Sequence, residues 1–203
     1  MITILEPCCI DHQFGQLIDS LRKEGKSASF IGYGDWDAAQ LFQVSVPRVG
    51  GGFVGISTGI PNADFISTVR RMLSATLSGA SDRFNIDEMV WIIPPCNADL
   101  KKELMAQLGS HIKSRRLTIC EDSTGMRCYM VMGPLYHFVI SGNMYMGKCS
   151  GVLQHYTLLT DKGSAADMVG VFRTQAKLRP SFRKERTKEC RVQKGCTDNV
   201  KEP

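Results

Sequence analysis

Hydrophobic residues recur along this chain in two rhythms, a helical one of about 3.6 residues and a strand-like one of two or fewer, and the switches between them mark its elements. Residues 3–5 read as a short opening strand. Asp11 then offers an N-cap to a helix whose apolar positions Phe14, Leu17, Ile18 and Leu21 share a face, with Gly25 ending it. Residues 28–32 read as a buried strand, and Asp35 caps a short helix through Leu41 and Phe42. Two β-rich runs follow, 44–46 and 53–56, joined by a glycine-rich segment at 47–52. Asn62 starts an amphipathic helix with Phe65, Ile66, Val69, Met72 and Leu73 on one stripe, Arg70 and Arg71 off it, and Gly79 closing it. Residues 88–93, continuously apolar after Glu88, stop at Pro94-Pro95, the pattern of a strand covered on both faces. Asn97 caps a further helix through Leu108, and 117–120 is the next strand. After Gly125 the rhythm turns to clustered strands at 128–132, 135–140 and 152–159, with 144–146 a short return after the Ser141-Gly142-Asn143 turn. Ser164 caps a last helix through Phe172.

Strands alternating with helices and then clustering together specify the α/β class, a mixed β-sheet flanked by helices. The 203 residues suit one domain, assigned to 1–178, followed by a basic, poorly ordered tail at 179–203. Charge sharpens that boundary. Residues 1–176 hold 16 Lys/Arg and 16 Asp/Glu, whereas 177–203 hold 9 and 4, so the tail carries the whole net charge of +5. The longest apolar stretch, 135–146, is interrupted by His137, Ser141 and Asn143 and is too short to span a bilayer. The N-terminus has no basic n-region and meets Glu6 early, so a cytoplasmic protein without membrane contact is expected. Eight cysteines without paired short spacings point to reduced thiols, with no metal site and no cofactor.

Three constellations carry candidate chemistry. Gly55-Ile-Ser57-Thr-Gly59 matches the nucleophile elbow of serine hydrolases and lies between a strand and a helix, with His137 or His155 as base and Asp122 as orienter. Pro61-Asn62 nevertheless delays the helix that should follow the serine directly. The second constellation is the interval from His137 to His155. His137 shares a strand with Val139 and Ser141, Asn143 lies in the turn, Lys148 and Ser150 lie in a small-residue loop, and His155 lies on the next strand. Such an order can gather a histidine, a lysine and hydroxyls around one phosphate-sized space. It makes His137 and His155 candidate catalytic residues and Lys148, Ser150 and Asn143 candidate ligand contacts; the alternative is a β-meander whose histidines only pack. Third, Arg183, Lys184, Arg186, Lys188 and Arg191 give the tail the charge to contact nucleic-acid phosphates. Gly32-Tyr-Gly34 and Gly50-Gly-Gly52 lack a full nucleotide fingerprint and read as turns, and His12 and His111 read as solvated surface histidines. A protein-interaction module using a methionine-rich face on the 126–146 strands is a separate reading.

Over about 40 residues the chain resembles the phospholipase D-like superfamily, whose halves carry His-x-Lys on a strand, an Asp-Gly turn and a Gly-Ser-x-Asn loop. Ile140-Ser141-Gly142 resembles the turn, Gly147-Lys148-Cys149-Ser150 the loop, and Leu158-Leu159-Thr160-Asp161 before a helix the end of such a half. The order of 53–59 before the Asn62 helix is similar to the sheet preceding that motif. The pattern departs at its reactive positions. Counting from the turn, the histidine position holds Pro134 and the lysine position Tyr136; counting from His137, Val139 replaces the lysine. Ser141 stands at the aspartate and Ser150 at the asparagine. The resemblance therefore implies a phospholipase D-like architecture in a degenerate copy, with little or no hydrolysis. It also implies pairing of two such halves, which in a chain this short means a homodimer, and a nucleic acid or another phosphate-bearing partner. If activity is retained, it is that of a phosphodiesterase or nuclease.

Overall fold

The computed structural model describes residues 2–5, 16, 19–20, 28–32, 42–43, 45–46, 51–75, 85–123, 127–133, 137–142, 154–178 and 181–182. Among them, eight strands form one mixed sheet: β1 (Ile2–Leu5), β2 (Ala28–Gly32), β3 (Gly51–Ser57), β4 (Asn85–Ile93), β5 (Leu117–Glu121), β6 (Cys128–Met132), β7 (His137–Gly142) and β8 (Gln154–Leu159). Their spatial order is β1-β2-β8-β7-β6-β3-β4-β5. The outer pairs β1–β2, β3–β4 and β4–β5 are parallel, and the run β2–β8–β7–β6–β3 between them is antiparallel. This is the α/β class with a mixed, helix-flanked sheet that the alternating and clustered patterns specify.

Among the described residues, three long helices cover the sheet: α1 (Ala63–Ala75), α2 (Ala98–Lys113) and α3 (Lys162–Leu178). Strand residues alternate between two buried clusters, as a pleat with two covered faces requires. Val54, Ile56, Met89, Trp91 and Ile119 share one buried cluster with Phe65, Val69, Leu73, Leu104 and Leu108 of α1 and α2, and Tyr129 and Phe138 join it, Tyr129 packing on both Phe138 and Phe42. Phe53, Val90, Ile92, Cys120, Cys128, Met130 and Val139 meet α3 through Ala165, Val169 and Phe172. Double coverage explains why the C-terminal half of β4 is apolar without alternation, while its start, with Asn85 and Asp87 exposed around buried Ile86, alternates.

The helix starts follow from local hydrogen bonding. Asn62 Oδ1 accepts the Phe65 N–H at 2.9 Å and Asn97 Oδ1 accepts the Leu100 N–H at 2.9 Å, each satisfying a first-turn donor as expected. The α3 cap is corrected: Asp161, not Ser164, is the capping residue, and its Oδ2 accepts the Ser164 N–H at 2.7 Å. A carboxylate at that position also favours the positive end of the helix dipole. The expected strand at 44–46 is corrected as well, because Ser45 and Val46 are helical together with Phe42 and Gln43. Phe42 and Val46, one turn apart, are both buried in the core, and Ser45 Oγ shares a hydrogen bond with the Tyr129 hydroxyl. Tertiary packing overrides the β preference of valine here. Gly52 adopts φ +91°, where a Cβ would lie 2.4 Å from the Met132 carbonyl oxygen, so the glycine run serves close backbone approach at a register shift of β3. Ser181 and Phe182, which the sequence assigns to the tail, sit on the fold: the Ser181 N–H donates to the Ile119 carbonyl at 3.0 Å, and Phe182 packs against the core. The expected caps and stops at Asp11, Gly25, Asp35 and Gly79, and the return at 144–146, lie outside the described residues.

Candidate functional site

The carboxyl ends of β3, β4 and β5 point to the same edge of the sheet, the edge where open α/β sheets place their ligands. Pairing sets a row of small polar residues across that edge. Ser57 of β3 is level with Cys128 of β6, Cys128 with Ser141 of β7, and Ser141 with Thr157 of β8. On the other side Ser57 is level with Ile92, and Ile92 with Cys120. Residues paired directly across strands share a face, and Cys120, Ile92 and Cys128 pack with α3, so the row lies on the α3 face. Ser57 and Cys128 are buried, Thr157 is half-buried and Ser141 is exposed, which opens the row at β7. Gly142 and Gln154, the two ends of the 143–153 segment, border it.

The elbow geometry is not met. Ser57 is the last residue of β3, only 2% exposed, and α1 starts six positions later at Ala63. Thr58 follows with its N–H bonded to the Ile92 carbonyl at 3.0 Å. Its hydroxyl accepts from Trp91 Nε1 at 3.0 Å and donates to the Gly59 carbonyl. The turn after the serine is therefore a structural clamp on a buried tryptophan. Gly55 lies beneath Phe172, with a Cβ there meeting the ring at 2.6 Å, whereas a Cβ on Gly59 meets nothing within 4 Å.

The two candidate histidines lie at opposite ends of the sheet. His137 pairs with Met132, and Met132 is level with Phe53, four residues before Ser57 on β3. At ~3.3 Å per residue that is about 13 Å from the Ser57 row. His137 is two residues before Val139, whose partner Leu159 is four residues after His155, so six strand positions, about 20 Å, separate the histidines. His137 instead neighbours Asp161. The Ser164 backbone N–H, with the Ser164 hydroxyl and the Gly163 N–H, holds the Asp161 carboxyl below the usual carboxylate range, and the nearby His137 acts in the same sense. His155 pairs with Ile31 two residues from Thr157, so its backbone lies at the Ser57 end. Asn143, Lys148, Ser150, Arg183, Lys184, Arg186, Lys188 and Arg191 lie outside the described residues. Asp122 is buried beyond Cys120, its N–H bonded to the Ile93 carbonyl at 2.8 Å.

Two clusters have no signal in the spacing of residues along the chain. Beyond β4, Cys96 Sγ donates to Glu121 Oε1 at 3.1 Å while Lys101 Nζ lies 2.9 Å from the same oxygen. Burial and the Glu121 carboxylate push the Cys96 thiol up to about 11. Burial alone would raise Glu121, but hydrogen bonds from Lys101 and Cys96 and the Lys101 charge outweigh it and leave the carboxyl below its ordinary value. A protonated thiol between these charges is a poor nucleophile. The other cluster corrects the reading of His111, which is buried at 3% exposure between α1 and α2, with Nε2 3.3 Å from Ser74 Oγ. Burial, and then the Arg116 charge, lower its pKa. Arg116 itself ties elements together, donating to the carbonyls of Leu73 at 3.3 Å and Ile86 at 2.7 Å. Among the described residues no three His, Cys, Asp or Glu side chains gather as a metal site, and no helix is long and apolar enough to cross a membrane.

No protein-family model and no curated protein matches the sequence. Among solved structures, the chain is similar to TrmBL2, described as an archaeal chromatin protein with a novel mode of DNA binding, with 8% identity and a TM-score of 0.46. That match covers 84% of this chain and 61% of the other, so this chain spans about three fifths of TrmBL2. It is also similar to NucT from Helicobacter pylori, with 12% identity and a TM-score of 0.46 over 77% of this chain and 99% of that one. At these values neither likeness assigns an activity or a ligand to this chain.

Proposed function

We propose that this protein is a degenerate phospholipase D-like domain that binds nucleic acid, or another phosphate-bearing partner, with little or no hydrolysis. The observation that carries the reading is the charge distribution: a neutral body of 16 cations and 16 anions followed by 27 residues holding 9 cations and 4 anions. A polycationic segment joined to a neutral fold gains affinity for polyphosphates through counterion release, which needs no specific pocket. The carboxyl-end row supports binding over turnover. It offers hydroxyls at Ser57, Ser141 and Thr157, and its described side chains include no lysine or arginine to stabilise a phosphorane and no histidine aimed at one.

The test is fluorescence anisotropy of a labelled single-stranded oligonucleotide with the full chain and with a chain ending at Phe182. Affinity should fall steeply between about 50 and 200 mM salt, and removing residues 183–203 should flatten that dependence. Binding at low salt that is unchanged by the deletion would reduce the tail to a solubilising extension and remove the main support for a nucleic-acid partner. The interaction-module reading loses most of its stated basis among the described residues, because Met130 and Val139 are buried against α3 and Phe138 is buried against Tyr129, with Met132 half-buried.

A further inference from the structure

We propose that a groove along the outer edge of β5 is a docking site for single-stranded nucleic acid, with Lys113 and Arg115 holding phosphates and Phe182 offering its ring to a base. This rests on the nucleic-acid reading above and gives it a location on the fold. The groove has a volume of about 430 Å³, and its lining combines an apolar floor of Leu117, Ile119, Ala176 and Phe182 with the cations Lys113 and Arg115 and, among the described residues, no acidic side chain. Both cations are exposed, and among the described residues neither is paired with a carboxylate. A basic groove beside an aromatic side chain is the general solution for binding single strands, because every base has a face to stack and every nucleotide a phosphate.

Two further observations point to the same groove. Among the described residues β5 is the last strand of the sheet, and the Ser181 N–H bonds to its Ile119 carbonyl, so residues 181–182 lie along this edge. The residues next in sequence are the cations Arg183 and Lys184. The second observation is the backbone of Arg115, which has φ +61°, the one non-glycine residue in the left-handed region among those described. It occupies the position after the α2 cap Ser114 in a closed C-terminal motif: the Arg115 N–H donates to the Ile112 carbonyl and the Arg116 N–H to the His111 carbonyl, each at 3.1 Å. Glycine is the usual residue there, because a Cβ is strained in that conformation. Arginine at such a position costs stability, and outliers of this kind collect where the side chain has a task. The cavity supplies the task.

Arg115→Gly therefore has effects of opposite sign on folding and on binding. In the full-length protein it should raise the melting temperature while weakening binding of a fluorescein-labelled oligothymidine. Together with Lys113→Ala it should weaken binding about tenfold and reduce the salt slope by ~0.7 for each phosphate that is no longer neutralised. Phe182→Leu, which keeps most of the packing volume but removes the ring, should weaken binding several-fold at every salt concentration. Arg70→Ala with Arg71→Ala, on the exposed side of α1, should change neither. If wild type binds and the groove variants bind with the same affinity and slope, the strand docks elsewhere and the groove assignment is wrong, while the nucleic-acid reading survives. Tighter binding of a duplex than of the single strand, abolished in the same variants, would overturn the single-strand assignment. If wild type binds no oligonucleotide, both readings fall.

Discussion

Gly55 and Gly59 bracket Ser57 in one five-residue pattern, yet they meet different surroundings. Phe172 of α3 rests on Gly55, at a distance a Cβ cannot share with its ring, so Gly55→Ala should overpack the α3 face and destabilise the fold by about 1–3 kcal/mol. Gly59 faces open space, and Gly59→Ala should leave stability within about 0.5 kcal/mol, both read from urea unfolding midpoints. A working elbow would reject a side chain at both glycines, so this asymmetry separates packing from catalysis. The same logic applies to Ser57, buried at the end of β3 with α1 still six residues away. Ser57→Ala should leave any hydrolytic activity intact, and a fluorophosphonate probe should not label the wild-type serine. Stoichiometric labelling at Ser57 would restore the hydrolase reading.

Elements are legible in the sequence where their determinants are local. The helical stripe of α1, the side-chain caps Asn62 and Asn97 and the uninterrupted apolar run of β4 are written in neighbouring residues, and each recurs in the fold. Ser45 and Val46 are illegible because their helical segment is held by contacts distant in sequence, Ser45 with the Tyr129 hydroxyl and Phe42 with the Phe65 ring. Asp161 and Ser164 are both capping types three residues apart, and only the direction of the bond between them shows which one caps α3. The row from Ser57 to Thr157 exists only through strand register, which no local pattern encodes. His111 escapes a local reading for a similar reason: α2 presents it toward Ser74 and Arg116, contacts from α1 and from the chain beyond the α2 cap. Its folded pKa lies below the ordinary 6.5, so the unfolded chain takes up a proton first as pH falls. Stability linked to His111 is thus complete above about pH 6.5, declines below that value and levels off beneath the folded pKa. The depressed carboxyls Glu121 and Asp161 act in a separate, more acidic window, their contribution present above the unfolded carboxylate pKa and lost as pH falls through the folded value. His111→Gln should flatten the decline just below pH 6.5 without changing the acidic limb, as measured by thermal melts across pH. An unchanged profile would mean that this buried imidazole is not coupled to folding.

At the scale of the whole molecule, the neutral residues 1–176, the basic residues 177–203 and the separated histidines bear jointly on whether the protein would cleave a phosphodiester. Phosphodiester cleavage by a histidine nucleophile requires the ring in line with phosphorus and cations around the non-bridging oxygens. His137 lies about 13 Å along the strands from the Ser57 row, beside Asp161 and the start of α3, while the segment containing Lys148 joins the fold at the other end through Gly142 and Gln154. His155 is the histidine whose backbone borders that segment, so it is the one that could meet Lys148, although the strand lysine of the family pattern is missing in either alignment. The expected outcome is no turnover of single-stranded DNA, duplex DNA or model diesters above background. Lys148→Ala should then weaken phosphate binding more than His137→Ala, because an ammonium can hold a phosphate as a point charge without supporting catalysis. Metal-independent cleavage abolished by His155→Ala, with folding intact, would overturn the degenerate reading and locate the reaction at the carboxyl-end row. Cleavage abolished by His137→Ala would require the reacting phosphate to lie near Asp161, at the opposite end of the sheet from the hydroxyl row.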